Sequence, residues 1–197
     1  MRLLALLLTL TWVLSACTVA GGSPTTRFYS LEPAGSEGTM TVGVNSLAIG
    51  LGPVTLPDLL DRPQIITHNG AHEVELAEFH RWAGDLKGDI TRHLALRLRE
   101  ELGTDNISLY PWPRQRKLDY EVRVDILRFS GALGSTVRLI GHWSLLDASG
   151  KEERLFKGFD LRGEAEGTDY TAQVKALSGL IRSLAGNIAE AIRTQKP

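Results

Sequence analysis

Between Leu86 and Ile192 the hydrophobic period runs from four residues to two and back to three or four, and few architectures accommodate that order. Leu86, Ile90, Leu94, Leu98 and Leu102 form one stripe, with Arg92, Arg97, Arg99 and Glu100 on other faces and Gly103 just past the end. That pattern predicts an amphipathic helix with a glycine stop. Three strand patterns follow, from Asp119 to Phe129, Ser135 to Leu146 and Glu153 to Leu161. In the first, Tyr120, Val122, Val124 and Ile126 alternate with Glu121, Arg123 and Asp125, so one face is buried and the other wetter. Gly131 to Gly134 and Asp147 to Gly150 are short turn-forming connections, which predicts an antiparallel meander. Thr168 or Asp169 can cap a last helix carrying Val174, Leu177, Ile181, Leu184, Ile188 and Ile192.

The last stripe reads in two ways. It resembles a heptad seam that could meet a coiled-coil partner. Gly179 and Gly186 weaken an isolated helix, however, so packing on a sheet is the preferred reading. The expected fold class is α/β: a single domain with a mixed β-sheet containing an antiparallel meander, covered by two long helices. Upstream, Arg27 to Leu31 is a short strand candidate and Met40 to Ile49 a second, with Met40, Val42 and Val44 on one face. Gly50 to Pro57 reads as a proline- and glycine-marked connection. Asn69-Gly70 tolerates the positive φ of a tight turn, so residues 64 to 79 are expected to form a β-hairpin.

The N-terminus carries a different signal. Met1-Arg2 gives a short basic start, Leu3 to Leu14 an apolar run, and Ser15-Ala16 two small residues before Cys17, the chain's one cysteine. This resembles a bacterial lipoprotein signal, in which the cysteine thiol receives a diacylglycerol and, after cleavage, its amino group an acyl chain. The run falls short of the roughly 18 to 20 residues that span a bilayer. An ordinary secretory signal would leave an unpaired cysteine at the mature N-terminus, so the lipoprotein reading is preferred. The expected organisation is a signal peptide over 1–16, an acylated tether over 17–26 and one periplasmic domain over 27–197. With no second cysteine for a disulfide, about 180 residues must be held by burial alone. A formal charge of −1 with interspersed signs gives no reason to expect a nucleic-acid partner.

Catalytic constellations are scarce. His68, His72, His80, His93 and His142 are the candidates for a metal or a general base, and His68 and His72 bracket the hairpin turn. Without a cysteine cluster, a zinc-binding helix motif, a nucleophile elbow or a phosphate loop, no catalytic residue and no metal site is proposed. No cofactor is expected beyond the covalent diacylglycerol and N-acyl chain on Cys17.

One cluster stands apart: Leu60-Asp61-Arg62-Pro63-Gln64-Ile65-Ile66, and after the hairpin Phe79-His80-Arg81-Trp82-Ala83. Pro63 restricts Arg62 to extended geometry, which aims the guanidinium from a fixed backbone. These two motifs, the entry segment Phe28-Tyr29-Ser30-Leu31-Glu32-Pro33 and the leucine-rich helix are similar to the ABC-type transport auxiliary lipoproteins, the PqiC/YmbA-like family. The chain departs from that pattern at Gly84-Asp85, where an acidic residue and proline are usual. The helix start is therefore open, although Asp85 can still place negative charge at it.

The resemblance implies a non-enzymatic lipoprotein serving an MCE-domain system that moves lipids between the inner and outer membranes. Thr18 stands where an aspartate would resemble an inner-membrane retention signal, so outer-membrane anchoring, facing the periplasm, is expected. Partner-binding contacts are expected at Arg62, Gln64, Arg81 and Trp82, since Arg and Trp concentrate energy at interfaces. The alternative at these positions is that Trp82 packs beneath the first helix and Arg62 pairs with Asp58 or Asp61. A homo-oligomer would suit a partner with rotational symmetry, and the chain does not show the subunit number. Lipid carriage by the domain itself and an envelope hydrolase are the alternative functions.

Overall fold

The computed structural model describes residues 24–31, 46–70, 72–113 and 115–195. The signal peptide, Cys17, most of the tether and the strand candidate around Met40, Val42 and Val44 lie outside the described residues.

Among the described residues, eight strands form one mixed sheet: β1 (Arg27–Tyr29), β2 (Ile49–Thr55), β3 (Gln64–Asn69), β4 (Glu73–Trp82), β5 (Ile107–Leu109), β6 (Tyr120–Gly131), β7 (Thr136–Asp147) and β8 (Glu153–Glu164). Two helices cover it, α1 (Leu86–Leu102) and α2 (Tyr170–Thr194). The expected meander is present as β6–β7–β8, antiparallel throughout. The other edge of β6 is shared: β2 runs parallel along its first half, from Ile49↔Tyr120 to Thr55↔Asp125, and β3 meets its end at Thr67↔Gly131. The hairpin β3–β4 extends the sheet, β1 joins β4 in parallel, and β5 joins β2.

Both helices begin at aspartates. The Asp85 carboxylate accepts the Gly88 N–H at 2.7 Å, so the residue whose setting departs from the family pattern is the N-cap of α1. Gly103 closes that helix in the left-handed region, φ 62°, with its N–H donated to the Arg99 carbonyl. Asp169 caps α2 through the Ala172 N–H. Leu177, Ile181, Leu184 and Ile188 are buried against the sheet and α1, so the stripe is core, as the preferred reading has it. Each such side chain contributes about 1.5–3 kcal/mol on burial. The helices run side by side in the same direction, with His93 reaching Ser178 further back along them and Arg193 donating to the Glu101 carbonyl near their ends.

One expectation is corrected upstream. The seven residues of β2, from Ile49 to Thr55, occupy the segment read as a connection. The glycines that disguise it are required by packing. A Cβ at Gly50 would stand 2.6 Å from Leu118 Cδ1 and 2.9 Å from the Trp112 ring. Strand β5 has only three residues, too few to leave a period in the sequence.

Candidate functional site

The expected contact residues gather where the hairpin opens. Gln64 and Arg81 are register partners, and Phe28 is Arg81's partner on the other side. Cross-strand partners share a face, so Phe28, Arg81 and Gln64 form a row across three strands. Phe28 is 65 % exposed and the Arg81 side chain 37 %. Backbone bonds hold the row in place: the Trp82 N–H donates to the Pro63 carbonyl and the Ala83 N–H to the Tyr29 carbonyl, each at 2.7 Å.

Trp82 points the other way, as alternation along a strand requires. It is 5 % exposed, and its ring stacks near Phe129 with centroids 6.4 Å apart. The expectation that Trp82 itself touches a partner is therefore corrected. On the same side Tyr29 and His80 Nδ1 share a 2.7 Å hydrogen bond, and His80 stacks on Tyr170 at 4.0 Å, tying β1 and β4 to the start of α2. Burial is the main cause raising the Tyr170 hydroxyl above its ordinary pKa, with the Glu75 charge adding to it.

Arg62 is half-buried, and its backbone N–H donates to the Leu60 carbonyl. Among the described residues its guanidinium makes no ion pair with Asp58 or Asp61, and its Nε is buried without a hydrogen-bond partner. Arg81 is only loosely held, by the Glu78 carbonyl at 3.1 Å and the Glu78 carboxylate at 4.0 Å, so it is free to exchange that contact for another.

Elsewhere lies a groove that sequence reasoning missed. About 560 Å³ in volume, it runs between β2, the first turns of α1 and the end of β5, and Asp61, next to Arg62, lines it. Its walls mix apolar and charged groups, with Leu56, Leu109 and Tyr110 opposite Lys87 and Arg92. Tyr110 is 57 % exposed and meets Trp112 edge-on at 5.6 Å. Beyond it a smaller depression of about 390 Å³ is bounded by Pro53, Trp112 and Arg123. The aromatic run Tyr110-Pro111-Trp112-Pro113 was the signal available in the sequence.

The histidines are dispersed in structural roles. His68 bonds Ser130 at 2.7 Å, His142 faces Asp125 at 3.4 Å, and His93 is buried against α2. Among the described residues no group of three His, Cys, Asp or Glu side chains is placed to hold a metal ion, and no helix is long and apolar enough to cross a membrane.

A family described as the ABC-type transport auxiliary lipoprotein component matches residues 29–189, from β1 almost to the end of α2. The chain belongs to this family. As an auxiliary component of ABC-type transport, it has a transporter for its partner. Two solved structures share the fold. An uncharacterized protein superimposes with a TM-score of 0.70 at 20 % identity, covering 86 % of this chain and 99 % of its own. A DUF330 protein from Xanthomonas campestris does so with a TM-score of 0.60 at 16 % identity, covering 86 % and 91 %. A PelC dodecamer from Paraburkholderia phytofirmans is more distant, with a TM-score of 0.45 at 14 % identity over 77 % and 94 %. Among curated proteins nothing matches the chain.

Proposed function

We propose that this auxiliary lipoprotein is a non-enzymatic docking subunit, held at the outer membrane by acylated Cys17, for an MCE-domain protein of an intermembrane lipid transport system. The observation that carries the reading is the row Phe28–Arg81–Gln64, and the groove lined by Asp61, Lys87 and Tyr110 is a second surface feature. An exposed aromatic and a weakly engaged arginine are what an interface uses as anchors. Arg62 adds a second guanidinium, which among the described residues has no carboxylate partner. Trp82 serves as the buried post that holds the row's backbone.

The alternative of lipid carriage finds less support. The space between helices and sheet is filled by Ile90, Leu94, Ile181, Leu184 and Val122, all fully buried, while the groove is open and lined by charges that an acyl chain would leave unsolvated. The test is affinity purification of the acylated, C-terminally tagged protein from native membranes. Recovery of an MCE-domain protein is expected, and recovery of the intact lipoprotein without one contradicts the reading.

A further inference from the structure

The parallel pairing of β1 with β4 fixes the side from which the anchored chain arrives. Arg27 pairs with His80 and Tyr29 with Trp82, so the N-terminal end of β1 faces the start of β4, where the hairpin turns. At that end the β3–β4 turn lies beside the β6–β7 turn, through the Thr67↔Gly131 pair and the His68–Ser130 bond. The segment before α2 joins them, since Gly134 packs against Thr168. Three connections thus close one end of the domain, and Val74, 40 % exposed, and Leu133, 37 % exposed, lie there.

Chain length favours this end. From Gln64 to Asn69 the hairpin rises about 17 Å, whereas the residues from Cys17 to Thr26 can extend to about 33–36 Å. The tether therefore clears the turn with length to spare. The opposite end, formed by the start of β6 and the β7–β8 turn, lies about 27 Å below Arg128, the level of β6 that the Thr67↔Gly131 pair sets beside Gln64. To seat that end on a membrane, the tether would have to reverse and use nearly its whole length.

We infer that the end bearing the β3–β4 and β6–β7 turns seats against the headgroups of the bilayer that holds the N-terminus, with the β7–β8 turn pointing away. This rests on the acylation of Cys17 proposed above. The lipid surface it fits is zwitterionic: Glu73 and Glu75 are exposed there, Glu166 is paired with Lys175 at 2.6 Å, and Arg138 and Arg162 near that end share the Asp160 carboxylate. Tether geometry and Leu133 hold the pose, so it is insensitive to salt. The row Phe28–Arg81–Gln64 and the groove remain open to a partner.

Because Cys17 is the chain's one cysteine and its thiol is acylated, an introduced cysteine is a unique labelling site. The test uses the acylated full chain in phosphatidylcholine/phosphatidylethanolamine vesicles containing a headgroup quencher. A fluorophore is placed on Leu133→Cys or His72→Cys, on two separate turns, and on Lys151→Cys at the opposite end. Quenching several-fold stronger at 133 and 72 than at 151, unchanged by salt, is expected. Equal quenching, or stronger quenching at 151, overturns the pose while leaving the anchor intact. Failure of the protein to float with vesicles overturns the anchor and the pose together.

Discussion

Gln64 and Arg81 face one another across the β3–β4 hairpin, and the very next residue, Trp82, is turned into the core. One strand thus presents a cation outward and drives a large aromatic inward within a single step. The backbone that aims Arg81 is held by the packing of Trp82 on Phe129 and by the Trp82 N–H bond to Pro63.

Substitutions at these neighbours should therefore separate folding from docking. Trp82→Ala removes a buried indole and should cost about 3–5 kcal/mol of stability. Arg81→Ala breaks only a surface contact and should change stability by less than about 0.5 kcal/mol while weakening capture of the transport partner. Urea denaturation alongside affinity purification reads both quantities.

The start of α1 makes a second prediction. Replacing Asp85 with Ala leaves the Gly88 N–H without its carboxylate and should cost about 1 kcal/mol. Asp85→Asn keeps an acceptor and should recover most of the loss. A shift in the urea midpoint with unchanged slope is the signature.

Gly141 lies opposite the irregularity in β6, where a Cβ would stand 2.1 Å from the Asp125 carbonyl oxygen. Relief requires the backbones of β6 and β7 to part. Gly141→Ala should destabilise by about 1–3 kcal/mol, whereas an alanine at Gly179, open to solvent on α2, should stabilise by about 0.5–1 kcal/mol. Thermal unfolding of the two variants should move in opposite directions.

His68 gives the fold a pH dependence. Burial, and then the nearby Arg128 charge, lower its pKa from the ordinary 6.5, so the folded state favours the neutral ring. At pH values between the lowered pKa and 6.5 the unfolded chain binds more protons. The contribution is therefore complete above pH 6.5 and is lost as pH falls through the lowered folded value. His68→Gln should flatten the melting temperature across that window, and an NMR titration should find the His68 midpoint below 6.5.

The helices, the meander and the hairpin were legible because each rests on a local period or turn chemistry: the leucine stripe of α1, the alternation from Tyr120 to Ile126, and Asn69-Gly70 with Gly70 at φ 82°. Strand β2 was not, because Gly50 answers to Leu118 and Trp112, residues far along the chain. Arg62, Gln64 and Arg81 stand out in the sequence by residue type and motif, but the side taken by Trp82 depends on the β4 register and its irregularity between Leu76 and Arg81. The groove was illegible for the same reason, since β2, α1 and β5 meet only in three dimensions.

The most direct measurement of the docking account places a photo-crosslinking residue at Arg81, at Lys87 and, for comparison, at Lys151 in the acylated protein in native membranes. The account predicts an adduct with an MCE-domain protein from positions 81 and 87 and none from 151. Adducts from 151 alone, or no MCE adduct from any position, would contradict it.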